Sequence, residues 1–171
     1  MLQKVFVVVF LLFFVSGMAQ KDVFAISRNG SLAELKELME RKPNCINEQN
    51  ENGYTPLILA CYRGNNELAA FLVHKVKDID AMSEMGTALM ACAVKGNVQI
   101  AKLLLEKGCN PDLTDANGTT ALIYATQFKN SELIKALLKH NADKTKIDNK
   151  GKTAFEYAVF SGSEEIINLL K

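Results

Sequence analysis

An all-α repeat solenoid of about five helix-turn-helix units is the fold this sequence predicts, on three observations. A threonine-led block recurs four times, a glycine stands ahead of every copy, and an apolar segment of helical period follows each. The block runs Gly53-Tyr54-Thr55-Pro56-Leu57-Ile58-Leu59-Ala60-Cys61, then Gly86-Thr87-Ala88-Leu89-Met90-Ala91-Cys92-Ala93. It returns as Gly118-Thr119-Thr120-Ala121-Leu122-Ile123-Tyr124-Ala125-Thr126 and as Gly151-Lys152-Thr153-Ala154-Phe155-Glu156-Tyr157-Ala158-Val159. Thr55, Thr87, Thr120 and Thr153 are spaced by 32, 33 and 33 residues, a period that marks stacked supersecondary units.

Each part of the unit has a physical reason. Asn52-Gly53 and Asn117-Gly118 are turn dipeptides in which glycine supplies a positive φ. The threonine caps the first helix, with Pro56 suited to its first position and alanine standing there in the other copies. Small residues (Ala60, Ala91, Ala93, Ala125) let first helices pack closely. Gly64, Gly96 and Gly162 end them in a left-handed conformation. The second helix presents Leu68/Phe71/Leu72, Ile100/Leu103/Leu104, Ile134/Leu137/Leu138 or Ile166/Leu169/Leu170 to the first. A single unit cannot bury both of its faces, so the units must stack. An incomplete first unit fits residues 21–44, where Gly30 matches the terminating glycine and Leu32, Leu35 and Leu38 supply the second helix.

This pattern resembles the ankyrin-repeat family over about 150 of the 171 residues. Turn glycine, capping threonine, paired alanines, terminating glycine and paired leucines fall at matched offsets. The resemblance implies an ankyrin solenoid with repeats at about 20–49, 50–82, 83–114, 115–147 and 148–171, the first and last acting as caps. The sequence departs from the family at several points. The histidine after Thr-Pro-Leu is replaced by Ile58, Met90, Ile123 and Glu156, so apolar packing must replace its hydrogen bonds. Lys129 stands where the terminating glycine belongs, a strain of about 1 kcal/mol or more if it turns left-handed. The third repeat lacks a residue between Gly86 and Thr87, while the linker at 75–80 is longer than its counterparts by one residue.

Residues 1–19 read as a signal peptide outside the fold. Lys4 precedes an unbroken apolar run from Val5 to Val15, and Gly17 and Ala19 have the small-residue spacing of a cleavage site. An uncleaved anchor is the alternative, although eleven apolar residues are short against the roughly 20 of a spanning helix. The expected mature chain starts at Gln20, is periplasmic or secreted, and has no stable membrane insertion. Lysine and arginine number 20 against 19 acidic residues. The field that draws proteins to phosphate is therefore missing, and nucleic acid is not an expected partner.

Four cysteines in an exported chain invite a disulfide framework, but the repeat argues against one. Cys61 and Cys92 take small-residue slots in adjacent repeats, and helices about 9–10 Å apart exceed the roughly 7 Å Cα limit. Cys109 follows Gly108 at a repeat end, and Cys45 sits near the equivalent place two repeats earlier. Four buried free thiols are expected, with a strained or intermolecular disulfide as the alternative. No Cys-x-x-Cys or paired Cys/His spacing suggests zinc. His74 and His140 lie at the ends of second helices, where a protonated ring favours the helix C-terminus. No catalytic constellation, phosphate loop or cofactor motif is present. The chain therefore reads as no enzyme and needs no cofactor.

In ankyrin proteins the ends of first helices and the turn tips line the groove where partners bind. The resemblance places Tyr62, Arg63, Val94, Lys95, Gln127, Phe128 and Phe160 there, with Arg28-Asn29 in the first unit and Glu51, Tyr54 and Met85 at the tips. Aromatic side chains beside cations have interface composition. Phe128 and Phe160 are open to a second reading, in which they fold inward over neighbouring helices. The expected function is a non-catalytic module, monomeric, that binds another protein through its concave face. The alternatives are an exported enzyme or small-ligand binder using Cys109 or a histidine, and a self-associating envelope scaffold.

Overall fold

The computed structural model describes residues 21–171, and the predicted signal segment lies outside the described residues. Thr55, Thr87, Thr120 and Thr153 each accept the backbone N–H three residues on, starting the inner helices α3 (Pro56–Arg63), α5 (Ala88–Lys95), α7 (Ala121–Gln127) and α9 (Ala154–Ser161). Asp22 does the same for α1 (Val23–Asn29). The outer helices are α2 (Leu32–Arg41), α4 (Asn66–Val73), α6 (Val98–Glu106), α8 (Ser131–Lys139) and α10 (Glu164–Leu170). Asn65, Asn97 and Asn130 cap α4, α6 and α8 through their side-chain oxygens. A reciprocal Ser31–Glu34 capping box starts α2. Ten α-helices and one short 3-10 turn, Cys45–Asn47, are the regular helical elements of the described residues.

The helices stack in two ranks. Along the inner rank α1, α3, α5, α7 and α9 pack in sequence, and the outer rank α2, α4, α6, α8 and α10 does likewise. Leu68, Leu72, Leu104, Leu133, Ile134 and Leu137 on outer helices are almost fully buried against Leu57, Ile58, Met90, Leu122 and Ile123 on inner ones. Thus three residues in the family's histidine slot have become core, as the apolar substitution suggests. The fourth, Glu156, stays exposed and closes a capping box with Thr153.

Polar staples join one repeat to the next. Asn47, Asp80 and Asp112 accept the backbone N–H of Lys77, Asn110 and Asp143 at 2.7–3.1 Å. Each bond crosses about one period, so the stack is tied along its length where the helix pairs end. Lys102–Glu132 and Lys135–Glu165 add exposed ion pairs between outer helices, which contribute at most about 1 kcal/mol each.

One departure from the sequence reading has a clear consequence. Gly30 is not left-handed, at φ −90° and ψ 177°. A Cβ there would lie 2.7 Å from the Ile26 Cα and 2.8 Å from its carbonyl oxygen, so close approach rather than handedness requires glycine. Cys61 and Cys92 are buried in adjacent inner helices. All four cysteines are buried and free. Gly64, Gly96 and Gly162 do turn left-handed at φ 72°, 70° and 67°, and Lys129 follows them at φ 55°.

Candidate protein-interaction face

The turn tips are built by a feature that the repeat comparison missed. Three residues before each turn glycine stands Asn50, Ser83, Asp115 or Asp148, whose carbonyl accepts the glycine N–H at 2.8–3.0 Å. Their side chains also gather N–H groups from within the tip. Asn50 accepts from Asn52 and Tyr54, Asp115 from Asn117 and Thr119, and Asp148 from Lys150 and Lys152. The signal was available as a period in its own right, because Asx or Ser at the first turn position is a known turn former.

In the last two repeats the tip acid is also tied to the inner helix. The Tyr124 hydroxyl donates to Asp115 and that of Tyr157 to Asp148, both at 2.5 Å. Burial, then the Asp115 hydrogen bond, pushes the Tyr124 phenol up to about 12. The Asp148 bond, then burial, raises Tyr157. Burial works to raise the Asp148 carboxyl, but the Tyr157 hydroxyl and the Lys152 and Lys150 N–H groups outweigh it and hold it below its ordinary value.

Between tips and inner helices lies a hollow of about 370 Å³. It brings together Arg28 at the end of α1, Tyr54 at the second tip, Tyr62 and Arg63 at the end of α3, and Lys95 at the end of α5. The Lys95 ammonium lies 5.1 Å from the centre of the Tyr62 ring, a cation–π arrangement. Burial, then the neighbouring Tyr62 and Glu84, raises the Tyr54 phenol. Glu51, Val94, Gln127 and Met85 are outside this lining, although Glu51, Gln127 and Met85 are exposed and Val94 is half-buried.

Phe128 and Phe160 are exposed at 54% and 86%, so neither folds inward. Phe160 is met by the Lys152 ammonium of the fifth turn tip at 4.9 Å. The Lys129 ammonium reaches the Ser161 carbonyl at 3.4 Å and joins the fourth repeat to the fifth along the same strip. The face therefore carries the tyrosine-lined cationic hollow over repeats one to three, and exposed phenylalanines with Lys152 against Phe160 over four and five.

The thiols offer little chemistry. Burial, then Asp80, pushes Cys109 up to about 12, which keeps it protonated at neutral pH, opposite to an activated nucleophile. The neighbouring Cys61 thiol, then burial, raises Cys92 as well. His140 Nδ1 is 3.1 Å from the Ala136 carbonyl, occupied at the end of α8. Among the described residues no group of three or more His, Cys, Asp or Glu is placed to hold a metal ion.

Paired helices stacked in two ranks, with turn tips standing beside the inner rank, define a helix-pair repeat protein that presents one long face. A family model described as ankyrin repeats (3 copies) matches residues 23–115 and 107–171, and the chain belongs to the ankyrin-repeat family. It is 37% identical over 102 residues to the mouse ankyrin repeat and SAM domain-containing protein 6, covering 58% of this chain and 12% of that protein. A putative ankyrin repeat-containing protein of Treponema pallidum is 36% identical over 87 residues, half of this chain and 29% of the relative. The human ankyrin repeat and KH domain-containing protein 1 is 39% identical over 79 residues, 45% of this chain and 3% of its own length. The chain thus spans a small part of these relatives. Ankyrin repeats generally mediate protein–protein interaction, and such relatives are typically non-enzymatic interaction modules.

Proposed function

We propose that this chain is a non-catalytic binding module of the periplasm or extracellular space, docking one partner protein on the face between its turn tips and inner helices. The observation that carries the reading is the exposure of Phe128 and Phe160 in the strip that also holds Tyr62, Arg63 and Lys95. Exposed aromatics cost solvation in an isolated protein and are the residues on which interface energy concentrates. Export rests on Lys4, the run from Val5 to Val15, and the Gly17/Ala19 spacing.

The test is capture from the native envelope by tagged wild-type protein and by surface variants, with mass spectrometry of what is retained. Tyr62→Ala and Phe128→Ala should each lower affinity for a stoichiometric partner by roughly thirtyfold, since interface aromatics contribute about 2 kcal/mol or more. Lys36→Ala and Lys135→Ala on the outer helices should not. Unchanged affinity in both aromatic variants, with thermal stability preserved, would move the site elsewhere. Recovery of the chain alone would favour self-association, and an intact Met1 chain in the cytoplasm would remove the export reading.

A further inference from the structure

Three cations converge on the hollow between tips and inner helices, and no carboxylate lines it. Arg28, Arg63 and Lys95 close the last turns of α1, α3 and α5. Among the described residues none of them is in an ion pair. The two nearby tip acids, Glu51 and Glu84, lie outside the lining, although the Glu84 charge is felt at Tyr54. The hollow is therefore lined by cations with no carboxylate to neutralise them. Cations at helix C-termini have a local explanation in the helix dipole. That explanation does not account for their convergence, since α7 and α9 end without a cation on Gln127 and Ser161. Farther along the face Phe128 and Phe160 are exposed, and the cations there are engaged, Lys152 on the Phe160 ring and Lys129 on the Ser161 carbonyl.

We propose that the partner presents an acidic segment to this face, with glutamate or aspartate carboxylates seated among Arg28, Arg63 and Lys95 and apolar side chains reaching toward Phe128. The proposal rests on the inner-face reading above and adds the chemistry of what docks there. Arginine matches a carboxylate bidentately. Tyr62, already under Lys95, offers a flat apolar wall for the carboxylate's stem. A hollow of about 370 Å³ accommodates one or two side chains rather than a folded element. Near-neutral net charge confines the attraction to this site, which favours a short acidic stretch over a polyanion such as nucleic acid.

The experiment titrates the isotope-labelled full chain with a Glu-Glu-Phe repeat peptide and with its Gln-Gln-Phe counterpart, following backbone amide shifts. The Glu peptide should move the amides of Arg28, Tyr62, Arg63 and Lys95. It should bind at least about tenfold more tightly than the Gln peptide, taking about threefold for each partly exposed ion pair, and weaken as salt rises. Arg63→Gln combined with Lys95→Met should lose about tenfold for the Glu peptide and leave the Gln peptide unchanged. A Lys139→Met control on the outer rank should change neither, and circular dichroism checks that each variant is folded. Equal binding of both peptides at this face overturns the acidic-partner proposal and leaves the inner-face reading standing. Shifts confined to the outer helices overturn both. No binding by either peptide, or tighter binding of a single-stranded DNA oligonucleotide, overturns the proposal alone.

Discussion

Lys129→Gly should make the protein more stable, and the geometry sets the size of the gain. Lys129 holds φ 55° at the place where Gly64, Gly96 and Gly162 hold 67–72°. A side chain in that region costs about 1–2 kcal/mol, and glycine removes the cost. Against this, glycine loosens the unfolded chain by about 0.4–1 kcal/mol. The exposed 3.4 Å contact to Ser161 is long and contributes little. The balance is a gain of about 0.5–1 kcal/mol, or roughly 2–4 °C per kcal/mol in Tm for a chain of this size. The reciprocal change isolates the backbone, because nothing lies within 4 Å of a Cβ placed on Gly64. Gly64→Ala should therefore destabilise by about 1 kcal/mol through φ alone. Urea unfolding of both variants beside wild type gives the readout. A lower midpoint for Lys129→Gly would refute the argument, since the left-handed cost at Lys129 would then be smaller than the freedom glycine adds to the unfolded chain.

Two further outcomes are expected. The Tyr124 phenol sits at about 12 in the folded protein, above the roughly 10 of a free phenol. The stability it contributes is complete below about pH 10 and is lost as pH rises toward 12. The stability gap between wild type and Tyr124→Phe should therefore be wider near pH 8 than near pH 11.5, and a gap that stays level or grows contradicts the assignment. Thiol titration in denaturant, after purification in air, should find four free thiols per chain. Two or fewer would show that buried thiols, such as those of Cys61 and Cys92 in adjacent inner helices, close into a disulfide.

Residues that act within one turn of themselves were legible in the sequence. Thr55, Thr87, Thr120 and Thr153 cap helices through a bond spanning three residues, so the local pattern determines the outcome. Left-handed Gly64 and Lys129 followed from the same offset. Legibility failed where the outcome depends on the placed backbone rather than on residue type at an offset. Gly30 matches its counterparts in position but is extended, and there the Ile26 backbone leaves no room for a Cβ. Exposure of Phe128 and Phe160 depends on how far the adjoining inner helix covers them. The Asp115–Tyr124 and Asp148–Tyr157 bonds join residues nine apart and required the tip and helix to be placed first.

The short third tip gives the binding face its internal division. Tips two and three are joined by Glu84 N–H donating to the Asn52 carbonyl, and tips four and five by Asn149 N–H donating to Asn117. Asn149 adds a side-chain bond to the Ala116 carbonyl. Among the described residues no such backbone bond joins tip three to tip four, where Gly86 runs directly into Thr87 without the extra residue the other tips carry. Repeats three and four are instead fastened away from the tips, through Asp112 with Asp143 and Lys102 with Glu132. The seam falls where the chemistry of the face changes, with Arg63, Lys95 and the tyrosine-lined hollow on one side and Phe128 and Phe160 on the other. Each half is held by its own tip bonds, so the side chains within a half are arranged before a partner arrives. That lowers the ordering cost of docking on either half. A partner engaging both halves must also match their relative setting, which is fixed by the packing of α5 on α7 and by the outer fastening rather than by the tips themselves.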